Sequence, residues 1–475
     1  MKRVDLLVIG SGAGAKVAAA AARAGLKTVL VESGPMGGTC LNRGCIPSKM
    51  LIFPAQLAER VRESARIGIR HGEAVRVSLP ALADRITAET DAISAELLKA
   101  HRERPNLEIV RAAARFTGPR EVEAGGERYG ADRVVIAAGA EPAIPDIPGL
   151  SGTPFMTSTE LLRNGRLPRR LAVLGAGYIA CELGHAYGAL GAEVIFIVRS
   201  QFLRGEDPDA AAAVESALRR RHKVFMGCHP LSVTYAGGRA NPPGEPHAKT
   251  DGHGFEMLCE GPGGVRETIC ADALLVATGV RPCTGALNLA AAGVACDDRG
   301  YIRADSRLKT TAEGVWALGD IIGRHPYRHT ANVEAEYLER TLLGGKDEGP
   351  LDYGPVPHAV FTRPEIGAVG LTEPGARAAG HDIFIARADY ADASNAGLAR
   401  GLEEGFVKII LERGTGRILG AHVVGEEAAS VVHLFIALMQ KRGTLADLRE
   451  LIFIHPALPE VVRDAVRSLA PGEGA

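Results

Sequence analysis

The 475-residue chain is 46% hydrophobic and carries 55 basic against 56 acidic side chains, a balance that leaves no field to gather nucleic acid or an anionic membrane surface. Its length suits about three domains of roughly 150 residues each, and its eight cysteines are too sparse for a secreted disulfide scaffold. Small molecules or proteins are the expected partners; nucleic acid and membrane are not.

The first residues run straight into an apolar strand, with neither the apolar length nor the small-residue cleavage site of a signal peptide. No stretch reaches the roughly 18 uncharged apolar residues of a membrane span, so a cytoplasmic location is expected. Residues 4–9 read as a strand, 10–14 as a tight glycine turn, 15–24 as an alanine-rich helix and 28–31 as a second strand. In this βαβ unit the G-x-G-x-x-A pattern of Gly10, Gly12 and Ala15 lets the backbone approach a pyrophosphate at the helix N-terminus. Glu32 ends the second strand, where a ribose hydroxyl would be bound.

Next comes GGTCLNRGCIPSK, residues 37–49, in which four residues separate Cys40 from Cys45. Alone, such a pair also reads as two buried cysteines on a glycine-rich turn. Cytosolic thiols are normally kept reduced, however, so a pair poised to cycle points to catalysis rather than to structure. The other six, Cys181, Cys228, Cys259, Cys270, Cys283 and Cys296, lack metal-ligand spacing and read as small buried hydrophobes.

Residues 81–104 have helical character, and 133–139 form a strand ending in Gly139. A second βαβ unit follows: strand 171–174, a turn carrying Gly175, Gly177 and Ala180, a helix to 190 and strand 193–198. Two such motifs imply two nucleotides without saying which holds which. The second unit's closing strand ends in Ile-Val-Arg-Ser rather than in an acid, so the acceptor for an NAD ribose 2′-hydroxyl is absent where expected. Arg199 and Arg204 suit a 2′-phosphate instead, which favours NADP(H), with NAD(H) as the alternative.

Residues 236–264 are rich in Gly and Pro, which disfavours helix and buried strand, and read as a surface hairpin insertion. Residues 274–279 repeat the strand-to-glycine pattern, ending at Gly279, and 315–320 form a strand ending in Gly-Asp320. From 355 onward, 359–361, 366–370, 406–411 and 418–424 read as antiparallel strands covered by helices. The apolar run 428–439, interrupted by His433, reads as one packed helix.

On the GGTCLNRGCIPSK segment, the two glycine motifs, the strands ending at Gly139, Gly279 and Asp320, and the tail segment HPALPE (455–460), the chain resembles the class I pyridine nucleotide-disulfide oxidoreductases. This is the family of dihydrolipoamide dehydrogenase, glutathione reductase and mycothione reductase, and the resemblance runs from Val4 to about Leu469. It implies an α/β fold with two Rossmann-like dinucleotide-binding domains plus a C-terminal α+β dimerisation domain. The implied division is an FAD-binding domain over 1–147, an inserted NAD(P)-binding domain over 148–279, the second part of the FAD-binding and central domain over 280–350, and the dimerisation domain over 351–475.

The resemblance also implies site roles. FAD would occupy the first glycine motif, with Thr39, Lys49, Gly139 and Gly279 among its neighbours and Asp320 on its ribityl chain; the nicotinamide cofactor would occupy the second. Cys40 and Cys45 would form a redox-active disulfide, Cys45 as the flavin-proximal thiolate and Cys40 as the interchange thiol. His455 would exchange a proton with Cys40 or the leaving thiol while Glu460 orients its imidazole. Lys49 would pair with Glu182 at the flavin and nicotinamide face. Tyr178 is expected either to gate the nicotinamide pocket or to pack in the core. A helix from His329 would turn its positive end to the flavin, with His329 as a capping or a catalytic residue.

Because the family takes the His–Glu pair from the partner subunit, a homodimer is expected. The implied activity moves electrons between NAD(P)H and a dithiol or disulfide, in the manner of dihydrolipoamide dehydrogenase, on a small-molecule disulfide or a lipoyl-bearing protein. An NADPH-dependent reductase of mycothione or glutathione disulfide is the alternative. A mercuric reductase-like activity fits less well, because that family carries a C-terminal cysteine pair and the last cysteine here is Cys296.

Overall fold

The computed structural model describes residues 1–70, 72, 75–236, 254–345, 348–393 and 395–469. The chain divides into two compact units. The first is built from Met1–Met50, Pro80–Ala143 and Gly279–Tyr353, and the second from Leu51–Leu79, Ile144–Thr278 and Gly354–Ala475.

In the first unit, five parallel strands lie in the order Leu107–Val110, Thr28–Val31 (β2), Lys2–Ile9 (β1), Glu127–Ile136 and Val315–Ala317. Their apolar runs do not alternate with polar residues, because a parallel sheet is covered on both faces. Leu7, Val8, Leu30, Val134 and Ile136 are accordingly fully buried. The strand Glu127–Ile136 belongs to two kinds of sheet at once. Its first half pairs antiparallel with Glu121–Ala124, and its last three residues pair parallel with Val315–Ala317. Helix α1 (Gly14–Arg23) carries an almost unbroken run of small residues, eight of its ten positions being buried. It packs against both β1 and the helix Arg328–Leu343, and so fixes the end of β1 from which the glycine turn projects.

The second unit holds a four-stranded parallel sheet in the order Lys223–Met226, Glu193–Val198, Arg170–Leu174 and Ala273–Val276. Beside it in sequence is a three-stranded antiparallel sheet of His229–Tyr235, Phe255–Glu260 and Arg266–Ala271. This corrects the expectation of a surface hairpin over 236–264. Phe255–Glu260 is the central strand, and Phe255, Met257 and Cys259 alternate into the core; the flanking Gly and Pro had masked that alternation. Residues 237–253, the middle of the expected insertion, lie outside the described residues.

A five-stranded antiparallel sheet, Pro357–Val360, Glu365–Gly370, Ile418–Gly425, Phe406–Glu412 and Ile383–Asp389 in that order, completes the second unit. The last of these is an edge strand that the sequence reading missed, since its second half is polar. The expected single helix over 428–439 is two short ones, Ala428–Val431 and His433–Gln440. His433 starts the second, and Phe435 is its one fully buried side chain.

Lys408, in a central strand of this sheet, is 3% exposed and reaches Asp207 Oδ1 at 2.9 Å, Asp209 Oδ2 at 2.8 Å and Glu373 Oε2 at 2.8 Å. Removing one member of a buried charge network strands the others. Lys408→Met is therefore expected to cost about 3–5 kcal/mol of stability, read as a lowered midpoint in thermal and urea denaturation. An unchanged midpoint would show that the network contributes nothing.

Candidate active site

In the first unit the site starts from a backbone requirement. Gly10 leaves β1 with φ +102°, and a Cβ there would lie 2.3 Å from the carbonyl oxygen of Ala137, so only glycine turns the chain here. Glu32, just beyond β2, accepts from the Ser11 N–H at 2.7 Å through one oxygen and from the Gly34 N–H at 2.7 Å through the other. The acid is thereby fixed by the turns on both sides. Each carboxylate oxygen still has a lone pair for a ribose hydroxyl.

Helix α2 (Gly38–Arg43) is brought against this turn at Gly38, where a Cβ would stand 2.8 Å from the Gly12 Cα. Thr39 and Cys40 lie on α2. Gly44 breaks the helix with φ −138° and ψ −114°, and Cys45 is then the first residue of α3 (Cys45–Glu63). The Cys-x4-Cys spacing thus places one thiol on a short helix and the other at the N-terminus of a long one, where the helix dipole favours negative charge. Asn42 fixes α2 from inside, its amide donating to the carbonyls of Met36 and Gly38, each at 2.9 Å.

The two thiols are in hydrogen-bonding contact and divide one proton unequally. The hydrogen bond from Cys40 lowers Cys45 to about 7; burial opposes this, and the charges of Lys49 and Arg328 assist it. Cys40, donating to Cys45 and partly buried, is pushed well above the ordinary thiol range. Cys45 is the exposed member and Cys40 half-buried. Lys49 follows on α3, half-buried.

Asp320 lies in the short turn Gly319–Ile322. Burial raises its carboxyl above the ordinary range, against the charge of Arg328. The turn is held by Glu334, which accepts from the Gly319 N–H at 2.5 Å and the Tyr353 hydroxyl at 2.6 Å. Gly139 and Gly279, both with positive φ, each precede a strand of the ribbon Ala140–Pro142 with Val280–Pro282. A cleft of about 440 Å³ opens beside the first turn, lined in part by Ser11, Gly12, Ala15, Lys16, Gly37 and Arg328. A glycine turn at the start of α1, a fixed acid just beyond β2 and a cation-bordered cleft fit an FAD.

In the second unit, Gly175 and Gly177 lead into the helix Tyr178–Leu190, and Ala180 is fully buried. Tyr178 is 47% exposed, which removes the core-packing alternative. Glu182 is 4% exposed and accepts from the Phe361 N–H at 3.0 Å. Arg199 and Arg204 are exposed beyond the strand Glu193–Val198, with Arg204 donating to the Ser200 hydroxyl at 2.8 Å. Near the end of the chain, His455 Nδ1 lies 3.0 Å from Glu460 Oε1 while the imidazole remains 63% exposed. Burial works against the charge of Glu460, but His455, the Ala457 N–H and Arg463 outweigh it and keep the carboxyl below its usual range.

Cys40, Cys45, Lys49 and Asp320 thus belong to the first unit, and Glu182, Arg199, Arg204, His455 and Glu460 to the second. Two expectations change. His329 does not cap its helix, which starts after Tyr327; it is the helix's second residue, with its ring stacked on Tyr327. Of the six further cysteines, Cys181, Cys228 and Cys259 are buried, whereas Cys270, Cys283 and Cys296 are only half-buried. The sequence reading also missed Arg328 and Glu334. Both belong to the helix expected from His329, and a cation at the first position of a helix after a Gly-Asp strand end was the available signal.

Residues 4–335 match the family model described as pyridine nucleotide-disulphide oxidoreductase, and residues 356–466 match that family's dimerisation domain. A mycothione reductase of Mycobacterium tuberculosis is 35% identical over 489 residues, covering 99% of this chain and 100% of the relative. A dihydrolipoyl dehydrogenase of Thermus scotoductus is 36% identical over 479 residues, covering 99% and 98%. Among solved structures, the Cu(II) complex of the HOCl-induced flavoprotein disulfide reductase RclA from Escherichia coli aligns with a TM-score of 0.85 at 26% identity, covering 99% of this chain and all of that one.

Proposed function

Since the chain belongs to the class I pyridine nucleotide-disulfide oxidoreductase family and is thereby an FAD-dependent, NAD(P)H-linked disulfide oxidoreductase, we propose that it cycles Cys40 and Cys45 between disulfide and dithiol to exchange electrons with a small-molecule disulfide or a lipoyl group. The observation that carries this reading is the thiol pair itself: Cys45 heads α3 with its thiol lowered to about 7, in contact with a proton-bearing Cys40.

FAD, when bound, carries the two electrons from the nicotinamide to the disulfide. Gly10, Gly12, Ala15, Glu32, Thr39, Gly139, Gly279 and Asp320 would hold it, and Lys49 with Glu182 would form the ion pair at its nicotinamide side. The Cys40–Cys45 disulfide takes up two electrons and one proton, becoming a Cys40 thiol and a Cys45 thiolate. His455 removes the Cys40 proton as this sulfur attacks one substrate sulfur, and returns it to the departing substrate thiolate. Cys45 then attacks Cys40 in the mixed disulfide, which releases the second substrate thiolate, protonated from water, and restores the starting bond. Glu460 fixes the imidazole and stabilises its charged form.

The domain division 1–147, 148–279, 280–350 and 351–475 belongs to the same proposal, as do a homodimer and a cytoplasmic location. The dimer is supported by the dimerisation-domain match over 356–466, and by Ile452 and Ile454, 99% and 81% exposed immediately before His455. Among the described residues no helix is long and apolar enough to cross a membrane.

A dihydrolipoamide dehydrogenase-like activity is the first reading for the substrate. The second, an NADPH-dependent reductase of a low-molecular-weight disulfide such as that of mycothiol, is favoured by Arg199 and Arg204 at the place where NAD-binding units carry an acid. The deciding experiment is a steady-state matrix of NADH and NADPH against lipoamide, glutathione disulfide and mycothione. Arg199→Ala is expected to raise the NADPH KM roughly tenfold and leave NADH almost unaffected. A wild-type preference for NADH would sink the 2′-phosphate assignment, and inactivity with lipoamide would remove the first substrate reading.

A further inference from the structure

We propose that His358 is a positioning residue for the 2′-phosphate of the nicotinamide cofactor: by holding Glu206 it fixes the segment that carries Arg199 and Arg204 and keeps both guanidiniums available to that anion. The inference rests on the reading of these two arginines as the 2′-phosphate partners.

Residues 199–207 connect the strand Glu193–Val198 to the helix Pro208–Arg221 and are pinned along their length. Phe202 is buried and meets the ring of Phe196 edge-on, with the centroids 5.5 Å apart. The Leu203 N–H donates to the carbonyl of Ala176, in the glycine turn, at 2.9 Å, and the Leu203 carbonyl accepts from the Glu206 N–H at 2.8 Å. Leu203 has φ +47°, a left-handed conformation that a bulky residue keeps only where its surroundings over-determine it.

The far end of the segment is gripped by the five-stranded antiparallel sheet of the same unit. His358, in the edge strand Pro357–Val360, places Nε2 2.8 and 2.9 Å from the two carboxylate oxygens of Glu206. An ionised carboxylate only accepts, so the imidazole donates. Asp207, fully buried, accepts from the Glu373 N–H and from the Lys408 ammonium, each at 2.9 Å. His358 and Lys408 therefore take up the two acids that follow Arg204 in sequence. Among the described residues no carboxylate makes a salt bridge to Arg199 or Arg204, and Arg204 donates to the Ser200 hydroxyl. A Glu206 released from His358 would lie two residues from Arg204, and its carboxylate would compete with the phosphate for that guanidinium. The loosened segment and the new competitor both weaken the hold on a 2′-phosphate, and neither touches a ribose that carries a free 2′-hydroxyl.

The test is calorimetric binding of 2′,5′-ADP and of 5′-AMP to the FAD-loaded protein, comparing wild type with His358→Leu, His358→Thr and His358→Gln, alongside steady-state kinetics with NADPH and NADH. His358 stands in an edge strand with its side chain 20% exposed, so the fold bears these replacements, and either of the first two suffices. His358→Leu and His358→Thr are expected to weaken 2′,5′-ADP about fivefold and to leave 5′-AMP unchanged, with the NADPH KM raised and kcat retained. His358→Gln, whose amide nitrogen can donate from near the place of the imidazole Nε2, is expected to stay within about twofold of wild type. In a Glu206→Ala background His358→Leu is expected to add less than about 1.5-fold, because the residue acts through Glu206. Unchanged 2′,5′-ADP binding in the folded Leu or Thr variant, equal weakening of both nucleotides, or a full effect that persists without Glu206 overturns the positioning role. A wild-type protein that binds 2′,5′-ADP no more tightly than 5′-AMP overturns the 2′-phosphate reading and this inference with it, so the two failures are distinguishable.

Discussion

Cys45→Ser is expected to lose the long-wavelength absorbance on reduction and to lower disulfide reduction by about 10⁴-fold or more, while FAD stays bound. A serine hydroxyl ionises far too weakly to replace the thiolate, and a nucleophile that acts as one unit with its partner takes most of the rate with it when removed. In the wild-type protein the band should grow as pH rises through about 7, because Cys45 is lowered to about 7 while Cys40 keeps its proton. The sign follows from the charge: the absorbing species is the thiolate, which is lost on acidification. Absorption spectra of the anaerobically reduced enzyme provide the check. A Cys45→Ser protein that kept the band would transfer the flavin-proximal role to Cys40.

The second large effect belongs to His455. Its imidazole is 63% exposed, yet its Nδ1 is anchored to a fully buried carboxylate, Glu460, which is itself bonded to the Ala457 N–H and Arg463. This leaves Nε2 outward, as the proposed role of a base requires. His455→Gln is expected to slow exchange with the disulfide substrate by about 10²–10⁴-fold and to leave NAD(P)H-driven reduction of the enzyme almost unchanged. Stopped-flow spectroscopy separates the two half-reactions. Equal slowing of both would place His455 in a structural role.

The legible parts of this chain are those in which chemistry fixes spacing. Gly10, Gly12 and Ala15 and then Glu32 can be read in order because a turn, a helix start and a strand end must follow one another at set distances. Cys40, Cys45, His455 and Glu460 were visible because short local segments carry them. Arg328 and Glu334 were not: a helix far along the chain brings them to the cleft beside Gly12 and to the Gly-Asp turn, and no local spacing records that approach. Phe255–Glu260 and Ile383–Asp389 were hidden for different reasons: the alternation of the first lies between turn-forming residues, and the polar half of the second makes an edge strand resemble a loop. The capping alternative for His329 comes from its opening a recognisable run, whereas the helix begins one residue earlier.

The double pairing of Glu127–Ile136 has a consequence for synthesis. Its antiparallel half finds a partner, Glu121–Ala124, almost at once. Its other edge pairs in parallel with Lys2–Ile9, which is already made, but the free edge of its last three residues must wait for Val315–Ala317, after residues 144–278 of the other unit have left the ribosome. Long-range parallel pairing is slow and leaves an open sheet edge meanwhile. The nascent chain can therefore lay down six of the seven strands of this sheet from its first 136 residues, and its last edge stays open until Val315–Ala317 emerges.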